Sequence, residues 1–176
     1  MKEYYGNIID LIGKVDAVCI TTNLFVKKNG RAVMGRGIAK AICDVIPDID
    51  LLLGAMITKG IDVGVIVKHE GTDIIAFPVK PESIEYRDEC TNDLIVSHMR
   101  NKFVRRDIVP GWACKADIVQ IGTSATLLAA LAGHKGYKEV YLPRPGCGAG
   151  ELKYEDVKSL LDHTLDSRFL VSTFKR

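Results

Sequence analysis

The residues best suited to chemistry lie in two glycine-rich loops and at one strand end. The first loop follows Ala17-Val18-Cys19-Ile20, a short apolar run of strand formers. Thr21, Thr22 and Asn23 then turn the chain polar where that strand should end. Gly35, Arg36 and Gly37 come next, and Ile38-Ala39-Lys40-Ala41-Ile42 has the composition and spacing of a helix start. A strand leading through glycines into a helix start is a phosphate-binding layout. The first helical turn has unpaired N–H groups and a positive dipole end, and glycine lets a ligand approach the backbone. Ligands of open α/β sheets sit off the carboxyl ends of the strands, which is where Asn23 falls.

The second loop, Pro143-Arg144-Pro145-Gly146-Cys147-Gly148-Ala149-Gly150, follows a short strand over 139–142. Together the two loops have the donors to clasp a pyrophosphate from two sides, because backbone N–H groups match phosphate oxygens without cationic side chains. Neither loop carries a familiar phosphate signature. Counted from Gly35 and Gly37, GxGxxG requires a glycine where Lys40 stands, and the Gly-Lys-Ser/Thr of a P-loop is absent. The competing reading is that the glycines only permit close packing. A third candidate is Lys80, which closes the run Phe77-Pro78-Val79-Lys80 at the end of an apolar strand. An ammonium there can hold a leaving group, or attack as an amine if desolvation lowers its pKa. The alternative is a lysine facing solvent after a strand.

The elements that must position these groups alternate along the chain. A strand over 2–6 precedes a short helix through residue 12, which Asn7 can cap. After the strand over 17–22, a helix begins near Arg36 and ends before Pro47. Another runs from Asp48 or Asp50 through Ile57. The stretches 63–68 and 73–79, joined by Glu70-Gly71-Thr72, form an antiparallel hairpin. Ile118, Ile121, Ala125, Leu128, Ala129 and Ala132 recur at three and four residues, marking a helix face meant for burial. A final helix covers 154–165 and a last strand 169–173. Within 81–112, Asp93, Leu94, Ile95, Met99 and Phe103 suggest an amphipathic helix, and Arg100, Lys102, Arg105 and Arg106 form a basic run. That run reads as a solvated helix face or, as a weaker alternative, a phosphate-contacting patch for nucleic acid.

This alternation predicts a three-layer α/β/α sandwich with a mixed, mostly parallel sheet. The 176 residues allow one domain with a real core, over 1–176. A net charge of +2 is too small to argue for nucleic acid by itself. No apolar run reaches transmembrane length, and the start lacks the apolar core of a signal peptide, so no membrane role is expected. Five cysteines, an odd number without CxxC spacing, favour reduced thiols in a cytoplasm. The four histidines lie far apart, which argues against a metal site.

CITTN followed by VMGRGIAKA, and LPRPGCGAGELKYEDV further on, resemble the two loops of a macrodomain, the ADP-ribose-binding family. LDSRFLVSTF is similar to its last strand. The resemblance covers nearly the whole chain except 81–112, which looks like an insertion. The MGRGIA and PRPGCG forms point to the branch holding ADP-ribosyl hydrolases of modified protein or DNA and ADP-ribose 1″-phosphate phosphatases. Its bacterial and phage proteins are soluble and need no metal; no cofactor is implied.

The resemblance implies roles residue by residue. Asn23 would bond the hydroxyls of the distal ribose, since an amide donates and accepts at once; otherwise it is a turn residue at the strand exit. Gly35, Arg36, Gly37, Ile38 and Ala39 would wrap the distal ribose and pyrophosphate, and Pro145, Gly146, Cys147, Gly148, Ala149 and Gly150 the phosphates from the other side. Cys147 reads either as a nucleophile or as a small buried thiol. Asn7 stands where the family usually carries an aspartate against adenine, with Ile8 offering its backbone to the ring edge and Phe174 its face. Lys80 matches the branch's catalytic lysine. The aspartate that some members pair with it is replaced by Gly150, with Glu151 beside it as a group to orient water or to serve the helix dipole. Two functions follow: hydrolysis at C1″ of the distal ribose, or non-catalytic reading or sequestration of ADP-ribose or a related NAD-derived nucleotide.

Overall fold

The computed structural model describes residues 1–173. Strand β1 (Lys2–Tyr5) leads through a single 3-10 turn, Ile8–Leu11, into β2 (Ala17–Asn23). Asn7 caps that turn, its Oδ1 accepting from the Ile9 N–H at 3.2 Å. Helices α1 (Gly37–Val45) and α2 (Ile49–Thr58) follow, α1 stopping two residues short of Pro47. Strands β3 (Gly64–His69) and β4 (Thr72–Lys80) form the expected antiparallel hairpin. The short strands β5 (Ser83–Glu85) and β6 (Ile108–Pro110) pair only with each other. Helix α3 (Ile118–Lys135) is capped by Asp117, which accepts from the Val119 N–H at 2.8 Å. It ends on Gly136 at φ +70°, the left-handed conformation that closes helices. Strand β7 (Val140–Leu142), helix α4 (Tyr154–Thr164) and strand β8 (Phe169–Thr173) complete the chain.

Among the described residues the main sheet has six strands in the order β1-β8-β7-β2-β4-β3. Every neighbouring pair is parallel except β3 with β4. Both faces of the central strands are covered, which is why β2 and β4 read as nearly unbroken apolar runs. Ala17 and Cys19 of β2, with Ile75, Phe77 and Val79 of β4, pack against α3 and α4 through Ile121, Ala125, Leu128, Val157 and Leu161. Val18 and Ile20, with Ile74 and Ala76, face the other way, against Ala39, Ile42, Ile49 and Leu53 of α1 and α2. The result is the α/β/α sandwich with a mixed, mostly parallel sheet that the alternation implied. No described helix is long and apolar enough to cross a membrane.

The expected amphipathic helix over 93–103 does not form. Two 3-10 turns, Glu89–Leu94 and Ser97–Met99, stand there instead, separated by extended backbone at Ile95 and Val96. These two adjacent β-branched residues are both buried, which an extended segment, with side chains alternating to opposite sides, permits. Backbone groups of Val96 and of the preceding Leu94 bond across the chain: Val96 N–H donates to Ala113 O at 3.0 Å, and Leu94 O accepts from Lys115 N–H at 2.7 Å. Ile95, Val109, Ala113, Cys114 and Tyr86 make a small core separate from the two main ones, and Met99 and Phe103 pack on it. The apolar spacing therefore reports burial correctly and the element wrongly.

Candidate functional site

The carboxyl ends of β2, β4, β7 and β8 converge with the start of α1 around one cavity of about 870 Å³. Its wall includes Asn7, Ile8, Asn23, Gly35, Arg36, Gly37, Ile38, Ala39, Lys80, Gly146, Cys147, Gly148, Ala149 and Gly150. Of the remaining sequence-derived candidates, Pro145 and Glu151 do not line it, and Phe174 lies outside the described residues. Two loops more than a hundred residues apart thus open onto one space.

The glycines divide into two kinds. A side-chain carbon built on Gly35, Gly37 or Gly148 meets nothing within 4 Å. Close packing therefore does not explain these three; they leave room in front of bare backbone. Gly37 also sits at φ +58°, a conformation that side chains of ordinary handedness rarely adopt. Gly150 is different: a Cβ there lies 2.5 Å from Gly146 O and 2.6 Å from Ala116 Cβ. Its role is contact between the second loop and the segment entering α3, where Ala116 N–H donates to Gly150 O at 2.9 Å. At the first loop, Arg36 precedes α1 without a side-chain cap, so the leading N–H groups of that helix face the cavity region without a side-chain partner.

Asn23 and Lys80 become neighbours through a sheet irregularity. The register of β2 on β4 runs Thr21 to Phe77 and Thr22 to Pro78, then slips so that Asn23 pairs with Lys80. Asn23 is buried, its Nδ2 donating to Val33 O at 3.0 Å and its Oδ1 accepting from Phe25 N–H at 3.0 Å. An amide has a second hydrogen and a second lone pair, so it can brace the loop and still meet a ligand. Lys80 is only 7% exposed. Its Nζ donates to Ala149 O at 2.9 Å and to Trp112 O at 3.4 Å, leaving one of three hydrogens uncommitted. Burial pushes its pKa below the ordinary lysine range; Cys114 and Glu151 oppose that shift and Arg36 adds to it.

Cys147 is half-buried, its Sγ contacting Pro145 O at 3.3 Å. Burial pushes its thiol up to about 11, against the pull of Arg144, so it is protonated at neutral pH and a poor nucleophile. Glu151 stands at φ +60° with both carboxylate oxygens taken, accepting from Ser97 N–H and Ser97 Oγ–H at 2.8 Å each. Desolvation acts to raise its pKa, but these two bonds, with Lys115 and Arg100, hold it below the usual range. No Asp or Glu lines the cavity among the described residues, while Arg36, Lys80, His98 and Arg144 do. Such a wall suits an anion.

Sequence reasoning missed several wall residues. Arg144 lies inside the second loop as read, and its place in that motif was the available signal. Its guanidinium rests 4.0 Å over the Tyr154 ring and donates to Thr173 Oγ1 at 2.9 Å. Arg144 Nε, Tyr154 Oη and Thr22 Oγ1 are buried without a hydrogen-bond partner among the described residues, and all three residues line the cavity. His98 and Trp112 come from the 81–112 stretch and carried no signal in the sequence.

No family model and no curated protein sequence matches the chain. Solved structures do. The macrodomain of Mycobacterium tuberculosis DarG is similar with a TM-score of 0.67 at 18% identity, over 97% of this chain and 95% of that one. The macrodomain of Thermus aquaticus DarG gives 0.67 at 16%, over 99% and 97%. Thermosipho africanus DarTG, solved in complex with ADP-ribose, gives 0.60 at 15%, over 92% of this chain and 38% of that one. These likenesses, together with the strand order and the two-loop cavity, establish that the chain has the macrodomain fold.

Proposed function

We propose that the chain binds ADP-ribose in this cavity and hydrolyses a bond at C1″ of its distal ribose. The substrate is ADP-ribose 1″-phosphate or an ADP-ribosylated macromolecule. The observation that carries the reading is the shared cavity: open glycine backbone from two distant loops, with Asn23 and Lys80 brought side by side by the β2–β4 slip. A fold neighbour holding ADP-ribose supports the choice of ligand. The loop N–H groups and the start of α1 hold the diphosphate. Asn23 holds the ribose hydroxyls, and Asn7 and Ile8 meet the adenine. The bond from C1″ to its departing oxygen breaks with both electrons going to that oxygen, which the free Lys80 N–H stabilises. A water oxygen forms the new bond to C1″, and its proton passes to the departing group. We take residues 1–176 as one domain and 81–112 as an insertion in it, acting without metal or cofactor in a cytoplasm.

A second reading, a non-catalytic reader or sequestering binder, is favoured by one observation. Both oxygens of Glu151 are committed to Ser97, and Gly150 offers no carboxylate, so among the described residues no carboxylate faces water at C1″. Release of phosphate from ADP-ribose 1″-phosphate, and of free ADP-ribose from a panel of ADP-ribosylated proteins and DNA, separates the readings. Hydrolysis predicts turnover that falls at least a hundredfold, about 2.7 kcal/mol of barrier, in Lys80→Met and Asn23→Ala. Tight ADP-ribose binding without turnover of any substrate assigns the binder.

A further inference from the structure

The stretch 83–114 carries its own small core, yet it is bolted to the site at several points. Ala116 N–H bonds Gly150 O and Asp117 N–H bonds Val79 O, each at 2.9 Å, fixing its exit beside the second loop and the end of β4. Lys80 Nζ holds Trp112 O. The other bolt is Glu151, which grips Ser97 by backbone and side chain. Glu151 does this from a left-handed backbone conformation, which is strained for a non-glycine residue and persists only where surroundings enforce it. The residue next to Ser97 is His98, an exposed side chain on the cavity wall. Only His98 and Trp112 reach that wall from 83–114 among the described residues. Glu151 N–H in turn bonds Gly148 O at 3.0 Å, and the neighbouring Ala149 O holds Lys80. A short chain of contacts thus links His98 to the Lys80 end of the cavity.

We propose that Glu151 and Ser97 are positioning residues that set His98 to donate a hydrogen bond to an anionic oxygen group attached at C1″. This rests on the reading of the cavity as an ADP-ribose site, and it names what the far end of that site recognises. Even a neutral imidazole carries one N–H donor, and Arg36 and Lys80 on the same wall favour negative charge. A carboxylate placed on the wall would repel such a group; here the nearest loop carboxylate is turned away and used as a fastener. The arrangement favours ADP-ribose 1″-phosphate, whose C1″ substituent is anionic, over free ADP-ribose, whose C1″ hydroxyl is neutral.

The test compares affinities for ADP-ribose and ADP-ribose 1″-phosphate, measured by calorimetry in a Lys80→Met background so that no turnover intervenes. The parent should bind the 1″-phosphate about tenfold more tightly, the ratio that one charge-assisted hydrogen bond of about 1.4 kcal/mol supplies. Adding His98→Ala should abolish that ratio, His98→Gln should keep most of it, and Glu151→Ala should reduce it. An unchanged ratio in His98→Ala, or no preference in the parent, overturns the inference. A parent that binds neither compound overturns the ADP-ribose reading itself, so the two failures are told apart.

Discussion

Replacing Gly148 by valine probes the second cradle without disturbing the fold. A Cβ at Gly148 meets no atom within 4 Å, and its backbone is not in the left-handed region. Stability should therefore stay within about 0.5 kcal/mol of wild type, as for other substitutions that touch nothing. A diphosphate in the cradle is a different matter. Each charge-assisted hydrogen bond from a backbone N–H is worth about 1.5–3 kcal/mol, so a side chain that holds the phosphate off one donor should weaken binding about 10- to 150-fold. Gly150→Ala is the control of opposite sign. Its Cβ would lie 2.5 Å from Gly146 O and 2.6 Å from Ala116 Cβ, which should cost about 1–3 kcal/mol of stability through overpacking. Urea melts and ADP-ribose calorimetry on both variants give the two numbers. Wild-type affinity in Gly148→Val, or its unfolding, refutes the assignment of that glycine to ligand space.

Three further outcomes follow. Asn23→Ala strands Val33 O and Phe25 N–H, so besides lost activity it should lose about 1–3 kcal/mol of stability by urea titration; a neutral effect would show that the amide is not bracing the loop. Asp73 is buried, bonded by Tyr137 Oη–H and paired with Lys68 at 2.8 Å. Desolvation acts to raise its pKa, but Lys68 and Tyr137 hold it below the usual carboxylate range. Its folded pKa being depressed, it contributes stability above the unfolded value, near 3.9, that is lost as pH falls through the folded one. Asp73→Asn should accordingly melt lower at pH 7 and approach wild type in acid, and parallel pH profiles would count against this. The exposed Arg100, Lys102, Arg105 and Arg106 should supply whatever affinity the chain has for nucleic acid. Fluorescence anisotropy with a short single-stranded DNA should then show binding that falls steeply with salt and weakens in Arg105→Glu with Arg106→Glu, and a flat salt response dismisses the run as a contact.

The parts of the fold legible in the sequence were those whose burial is regular. The two-sided apolar runs of β2 and β4, the three-and-four spacing of α3, and the proline after α1 each declare an element from local composition. The stretch 93–103 was misread because Ile95 and Val96 are buried together by an extended segment, a pattern whose period over so few residues also fits a helix face. The two glycine loops were legible as loops, but their meeting was not, since it depends on strand order. The Asn23–Lys80 pairing needs a one-residue register slip that no sequence signal announces. Glu151 was legible as a carboxylate near the site; that Ser97 consumes it depends on a contact across 54 positions.

A calorimetric titration of the wild-type chain with ADP-ribose, run beside AMP and ribose 5-phosphate, tests the shared cradle most directly. ADP-ribose should bind saturably and one-to-one, at least tenfold tighter than either fragment because only the intact diphosphate reaches both cradles. ADP-ribose affinity no better than that of AMP would contradict the claim that the two loops act on one ligand.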